Sequence, residues 1–216
     1  MNKLYPESGV ELNPFLSKYY DKLMRILSAG KYSGFIKRVI EDMNIEHSDK
    51  ILDFGCGTGS NACLMINYLS EEGGITGLDI SEIMESQFKK NCGNFPNTEF
   101  IKQRIDIPFD LGKKYDKVFI SFVLHGFPQN IRENIIRNAF SHLKPGGKFQ
   151  ILDFAEFDMS KMPFYYRIPF KWGECPYAFD FIERDLKGML KKEGFAGFNE
   201  KFYFKNYARL LTAVKG

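Results

Sequence analysis

Leu52-Asp53-Phe54-Gly55-Cys56-Gly57-Thr58-Gly59 is the segment on which the architecture of this chain turns. It leaves a short buried strand, Lys50–Phe54 (KILDF), and opens a helix that runs through Leu69. Its glycines permit a tight bend and let a ligand approach the backbone without Cβ clashes. The N–H groups at the helix start favour an anionic group, either carboxylate or phosphate. A bare GxGxG also occurs as a plain turn. Here the strand before it, the helix after it and Asp79 give it context. Asp79 closes the next predicted strand, Ile75–Asp79, about 20 residues on, where an acid accepts both hydroxyls of a ribose.

The loop discriminates among nucleoside ligands. It lacks the GK[ST] of a triphosphate-binding loop. Asp53 sets a carboxylate where a pyrophosphate prefers neutral or positive surroundings, which disfavours a dinucleotide and with it a dehydrogenase. An aminoacyl nucleoside fits better, its α-ammonium meeting Asp53 directly or through water and its carboxylate facing the loop amides. The plainer alternative is that Asp53 only caps the loop.

Outside this segment the chain alternates strand and helix. Pro14–Ser28 and Tyr32–Met43 carry helical periods, the latter with Phe35, Val39 and Ile40 on one face. Glu82–Asn91 reads as a helix with Ser81 as N-cap. Glu99–Gln103, Lys117–Phe122 and Lys148–Phe154 read as strands, and Ile131–Leu143 as an amphipathic helix stopped at KPGG. Glu183–Glu193 is a helix closed by Gly194, and Glu200–Phe204 and Arg209–Val214 are strands able to pair as a hairpin. The expectation is one α/β domain over 1–216, with a seven-stranded, mostly parallel sheet, helices on both faces and a C-terminal antiparallel hairpin.

Composition narrows the class. The 216 residues suit a single domain, and a formal net charge of +3 without a basic block does not point to nucleic acid. Cys56, Cys63, Cys92 and Cys175 form no CxxC pair and no metal-ligand spacing, and read as reduced thiols of a cytoplasmic protein. The start, MNKLYPESGVELNPF, lacks the apolar run of a signal peptide, and no stretch is long and apolar enough to span a bilayer. No metal site is expected.

LDFGCGTGS, GLDISEIM, FVLHGF and LKPGGKFQILDF stand in the order and spacing of class I S-adenosylmethionine-dependent methyltransferases. The chain most resembles the branch containing the ubiquinone/menaquinone C-methyltransferases, and YYDKLMRILSAGKYSGF is similar to that branch's leader. The resemblance covers Tyr19 to Phe154 well and the carboxyl third loosely. It implies a Rossmann-like fold with S-adenosyl-L-methionine as cofactor. Asp53, Gly55, Cys56, Gly57 and Gly59 would cradle the methionine end with Tyr20 nearby, Asp79 would hold the ribose, and Ile80 and Met84 would sandwich the adenine. Ile80 and Met84 read equally well as helix-packing core on apolar character alone. The family's acidic or amide residue for the adenine amino group falls in a GDA-like turn. Here Lys102-Gln103-Arg104-Ile105-Asp106-Ile107-Pro108-Phe109 is one residue short, which leaves Gln103 or Asp106 as the substitute and Ile105 as a backbone donor. Ser121, near the end of the strand Lys117–Phe122, is placed with the cofactor residues.

Methyl transfer from a sulfonium depends largely on alignment of acceptor, methyl and sulfur. A base is needed only where the acceptor must lose a proton. The acceptor belongs beyond the carboxyl ends of the strands. That places Ser121–Phe127, the segment after Phe154 and the leader (1–46, a helical lid) around it. His125 is the candidate base because it ionises near neutrality, the alternative being an ordinary hydrogen-bonded loop histidine. His47 and His142 read as structural or exposed. Residues 155–182 form an irregular, Pro- and aromatic-rich cap, either core filler or the wall of a pocket for an aromatic or prenylated acceptor. Arg167, Lys171 and Glu174 read as solvated charges. The leading reading is methylation of a small quinone-like or phenolic molecule. The rivals are RNA or protein methylation, for which Lys201, Lys205, Arg209 and Lys215 offer some charge, and a non-catalytic cofactor-binding partner subunit.

Overall fold

The computed structural model describes Tyr5, Ser8 and residues 31–216. The expected helix over Pro14–Ser28, Tyr20 and most of the leader lie outside the described residues. Seven strands make one sheet: β1 (Lys50–Phe54), β2 (Gly74–Asp79), β3 (Thr98–Lys102), β4 (Tyr115–Ser121), β5 (Leu143–Phe154), β6 (Phe195–Tyr203) and β7 (Ala208–Lys215). Their order is β3-β2-β1-β4-β5-β7-β6. β1 to β5 pair in parallel, while β7 runs antiparallel to both β5 and β6. The helices are α1 (Lys31–Asp42), α2 (Ser60–Met65), α3 (Glu82–Cys92), α4 (Gln129–His142), α5 (Phe164–Gly173), α6 (Pro176–Phe181) and α7 (Leu186–Lys192).

Period-two alternation in the central strands builds two cores. Leu52 and Phe54 of β1 join Val118 and Ile120 of β4 and Ile135 and Ile136 of α4 on one face. Ile51 and Phe119 join Val39 and Ile40 of α1 and Met65 of α2 on the other. A parallel sheet covered on both sides needs such doubly apolar strands. β1 sits between β2 and β4, so the chain reverses its direction of travel across the sheet there, and the carboxyl ends of these strands frame a crevice.

Several elements differ from expectation. KPGG does not separate helix from strand. β5 begins at Leu143, pairs with Tyr115, and resumes register only at Lys148, with Gly146 at φ 73° in the excursion. The cap over 155–182 is helical rather than irregular: it holds α5 and α6. α5 carries Pro169 internally, a residue that reads as a helix breaker in the sequence, and buries none of its residues. β6 starts at Phe195, before the expected Glu200, with a register shift around Gly197 (φ 57°). The reading of four free thiols is also corrected. α2 and α3 bring Cys63 and Cys92 to a Cα–Cα distance of 5.7 Å, where they form a disulfide, and only Cys56 and Cys175 are free. A separation of 29 residues carried no sign of that approach.

Candidate active site

Asp53 and Asp79 are the penultimate residue of β1 and the last of β2, and parallel pairing of these strands, with Gly77 opposite Asp53, delivers both carboxylates to the same end of the sheet. The chain then bends back sharply. Leu78 O accepts from both Gly55 N (2.8 Å) and Cys56 N (3.0 Å). Gly55, Gly57 and Gly59 all adopt positive φ, at 70°, 53° and 79°. A Cβ on Gly59 would lie 2.7 Å from the Phe88 ring and one on Gly55 2.9 Å from Val123, so packing forbids side chains there. Gly57 differs. A Cβ there would meet only Met84 Sδ at 4.0 Å, so its bare backbone faces open space that a ligand can use.

The electrostatics of this bend favour a cation. Asp53 is 1% exposed, and its Oδ2 has no hydrogen-bond partner among the described residues. Burial, with the Asp79 charge beside it, pushes its carboxyl up to about 7. Burial also raises Asp79, against the opposing hydrogen bonds of backbone N–H groups. Gly57 N donates to Asp79 Oδ2 and Ser81 N to Oδ1, each at 3.0 Å. The Cys56 thiol is pushed well up, by burial and then by the two carboxylates, and so stays protonated. An unpartnered buried carboxylate normally implies a missing partner. The ammonium of an adenosyl amino acid supplies one, and Gly57 leaves room for its backbone-facing end. The residues present therefore fit that cofactor.

The adenine side is partly resolved. Ser81 caps α3, accepting from Met84 N at 3.3 Å. Ile80 is 37% exposed at the rim, whereas Met84 is buried beneath it, so the two side chains do not present equally. Gln103 N donates to Asp79 O at 3.1 Å, which fixes Gln103 next to Asp79. Asp106 is already engaged, accepting from Tyr5 Oη at 2.7 Å and from Arg104 Nε at 3.0 Å. Gln103 Nε2 donates to Arg104 O at 2.9 Å, which leaves its amide oxygen as the candidate acceptor for the adenine amino group. The side chain of Ile105 belongs to the core, and its carbonyl accepts from Asn138 Nδ2 at 2.8 Å.

Across the crevice, Ser121 ends β4 and is followed by Phe122 in the left-handed region (φ 51°), a costly state for a bulky residue. That turn aims Leu124–Gly126 back over the sheet. His125 Nδ1 lies 2.7 Å from Asp153 Oδ1, and His125 N donates to Asp153 Oδ2 at 3.1 Å. His125 Nε2 stands 3.6 Å from Glu174 Oε2. Burial alone would depress the imidazole, but Asp153 and then Glu174 outweigh it and hold its pKa above the usual value. Glu174 is itself raised, chiefly by burial. The His125 ring packs 4.8 Å from Phe154 and 6.4 Å from Phe181. Fully buried Arg132 fastens the turn, donating to His125 O (3.2 Å), Tyr177 O (2.6 Å) and Asp180 Oδ2 (2.6 Å).

Glu174 is therefore not a solvated charge, and Asp153 and Arg132 were not singled out from the sequence. A signal for Asp153 was present. Ile151-Leu152-Asp153-Phe154 repeats Ile51-Leu52-Asp53-Phe54, an acid inside an apolar strand in both places. His142 is structural: it stacks on Phe109 at 4.4 Å and accepts from Leu111 N. An open depression lined by Lys50, Gly74, Thr98 and Tyr115 lies at the amino ends of the strands, away from all these groups.

The model of the ubiE/COQ5 methyltransferase family matches residues 11–198. A demethylmenaquinone methyltransferase of Staphylococcus carnosus (strain TM300) is 27% identical over 233 residues, covering 99% of this chain and 95% of that protein. Among solved structures, a SAM-dependent methyltransferase from Aquifex aeolicus superposes with a TM-score of 0.63 at 16% identity, over 84% of this chain and 89% of that one. A TehB-like SAM-dependent methyltransferase from Corynebacterium glutamicum gives 0.64 at 18% identity, over 94% of this chain and all (100%) of that one. With the strand order, the glycine bend and the paired acids, these matches lead to one conclusion: the chain belongs to the ubiE/COQ5 methyltransferase family and is an S-adenosylmethionine-dependent methyltransferase on a Rossmann-like fold.

Proposed function

We propose that the enzyme methylates a flat, hydrophobic quinol or phenol, with His125 as the base that takes the acceptor's hydroxyl proton. The observation that carries this reading is the Asp153–His125–Glu174 chain at the strand ends, set among Phe154, Phe170 and Phe181. Bound S-adenosylmethionine supplies an electrophilic methyl group. Asp53 and the loop amides would hold its amino-acid end, Asp79 its ribose, and Ile80, Met84, Gln103 and Ile105 its adenine.

Asp153 accepts from Nδ1–H and so keeps the lone pair of the neutral imidazole on Nε2, which faces the crevice side occupied by Glu174. Nε2 then accepts the hydroxyl proton of the acceptor, and the Asp153 charge stabilises the resulting imidazolium. The hydrogen on the methylated ring carbon afterwards leaves as a proton as the ring regains aromaticity and its hydroxyl. Arg132 keeps the turn in register without touching the reacting groups. The aromatic rings exclude water and stack on a planar acceptor. The Staphylococcus relative's name, a demethylmenaquinone methyltransferase, supports an acceptor of this kind. On this reading the whole chain acts as one catalytic unit in the cytoplasm. Residues 1–46 serve as a lid and 155–182 as the acceptor-side wall. Among the described residues no helix is long and apolar enough to cross a membrane.

The test is incubation with S-adenosylmethionine and a reduced, short-tailed demethylated naphthoquinone, read by mass spectrometry. A singly methylated ring product is expected. No product from that acceptor, with methyl label instead entering RNA or protein of a cell extract, would overturn the reading.

A further inference from the structure

α5 has two unlike sides. On one, Phe170 packs 5.0 Å from Phe154, which in turn packs on His125. On the other, Phe164 (66%), Tyr165 (53%), Ile168 (54%) and Trp172 (89%) stand exposed. The β6–β7 turn continues the patch. Lys205 Nζ lies over the Tyr166 ring at 5.3 Å, and Phe202 and Phe204 are 48% and 59% exposed. Rings this large are seldom left in water in one contiguous group unless something binds there.

The charges around the patch are mostly basic, with Asp42 of α1 on its far side, where it accepts from the Tyr203 hydroxyl at 2.7 Å. Between Asp158 and Glu174 the chain carries Lys161, Arg167 and Lys171 and no acid, and Lys201 to Lys205 adds two lysines and no acid. Asp158 lies at the border, 3.6 Å from Lys161, and Glu174 is turned inward toward His125. Trp and Tyr favour the headgroup level of a bilayer, long basic side chains reach past buried rings to anionic headgroups, and a short helix so equipped lies in the interface.

We propose that α5 and the β6–β7 turn form a docking surface for an anionic lipid bilayer, seating the acceptor entrance on the membrane. Charge complementarity selects this occupant over a second copy of the chain, whose same patch would be equally basic. The inference stands whichever acceptor the enzyme uses.

Trp172 is the chain's single tryptophan and reports on the patch directly. The full chain is titrated with vesicles of phosphatidylcholine alone and with added phosphatidylglycerol, and binding is read by co-sedimentation and Trp172 emission. A blue shift and pelleting with anionic vesicles are expected, together with weakening by salt. The double variant R167Q/K171Q, which removes both charges without reversing them, should lower binding roughly thirtyfold, at about fivefold per basic side chain. F164S/W172S, which removes only exposed rings, should abolish pelleting while keeping the wild-type circular dichroism. Unchanged Trp172 emission and no pelleting with anionic vesicles would overturn the proposal. So would concentration-dependent self-association that shields Trp172 from iodide without lipid, which would assign the face to a second copy. Shielding of Trp172 in the dilute monomer would assign it to the chain's own leader and overturn the proposal equally.

Discussion

His125 and Asp153 meet at 2.7 Å across two different strand ends, the histidine on the turn after β4 and the aspartate near the close of β5. Because β4 and β5 pair in parallel, with Ser121 opposite Leu152, the next residues of both strands are delivered to the same edge of the sheet. The acid is 2% exposed and the imidazole 12%, so their interaction is little screened by water.

That geometry predicts a pH profile. The imidazole's pKa is raised, so the base is protonated and idle at acid pH, and kcat should rise as pH passes through a value above that of a free histidine. His125→Ala should lower kcat by about a hundredfold or more with a small change in cofactor affinity. Asp153→Asn should lower kcat and move the acid limb to lower pH, since it removes the negative partner. A limb that stays in place in Asp153→Asn would separate the two residues mechanistically.

Asp53 predicts a second pH dependence, in binding rather than turnover. Its carboxyl sits at about 7 in the free protein, and pairing with an ammonium requires the ionised form. Cofactor affinity should climb by about tenfold per pH unit below 7, level off, and fall again as the ligand's own α-amino group deprotonates near 8. Titration calorimetry from pH 5 to 9 measures this. Asp53→Asn should flatten the acid side, while a slope retained in that variant would place the titrating group at Asp79. Without ligand the sign is opposite. A raised carboxyl favours the folded state only while protonated, so Asp53's contribution to the free protein's stability should fall as pH rises from about 4 to about 7, read as the change in Tm relative to Asp53→Asn.

Gly57 and Gly59 should respond differently to a single added methyl. Gly59→Ala drives a Cβ into Phe88 and Cys92 at 2.7 and 2.9 Å and should lower stability by about 2 kcal/mol, seen as a drop in Tm. Gly57→Ala meets only Met84 Sδ at 4.0 Å. It should fold at a cost of about 1 kcal/mol for its left-handed backbone but weaken cofactor binding more than tenfold. Equal effects of the two variants on Tm and on affinity would contradict this assignment of space.

The disulfide between Cys63 and Cys92 ties α2 to α3, the two helices that flank the cofactor loops. Closing a loop across a separation of 29 residues should contribute about 3 kcal/mol. Thermal unfolding should therefore shift downward on adding reductant to the wild type and not in a Cys63→Ser/Cys92→Ser variant. Alkylation without reductant should label Cys175 in preference to Cys63 or Cys92.

Much was legible from local signals. β1 and β2, the glycine bend, Ser81 as N-cap, the C-terminal hairpin and an acid, Asp79, closing β2 rest on periodicity, turn residues and the spacing of an acid after a strand. Those rules operate over a few residues or one strand–helix–strand unit, and the order of amino acids alone was enough to reach a cofactor-binding α/β fold. The disulfide, the buried Arg132 clamp, the role of Glu174 and the helix hidden in the aromatic cap followed only from the folded chain. The contacts among them join residues 7 to 49 positions apart in the chain, and α5 carries a proline inside it that reads as a break. Local preference settles what each segment becomes. Distance in the assembled sheet settles that Asp153 pairs with the histidine and that Asp53 Oδ2 meets no hydrogen-bond partner among the described residues.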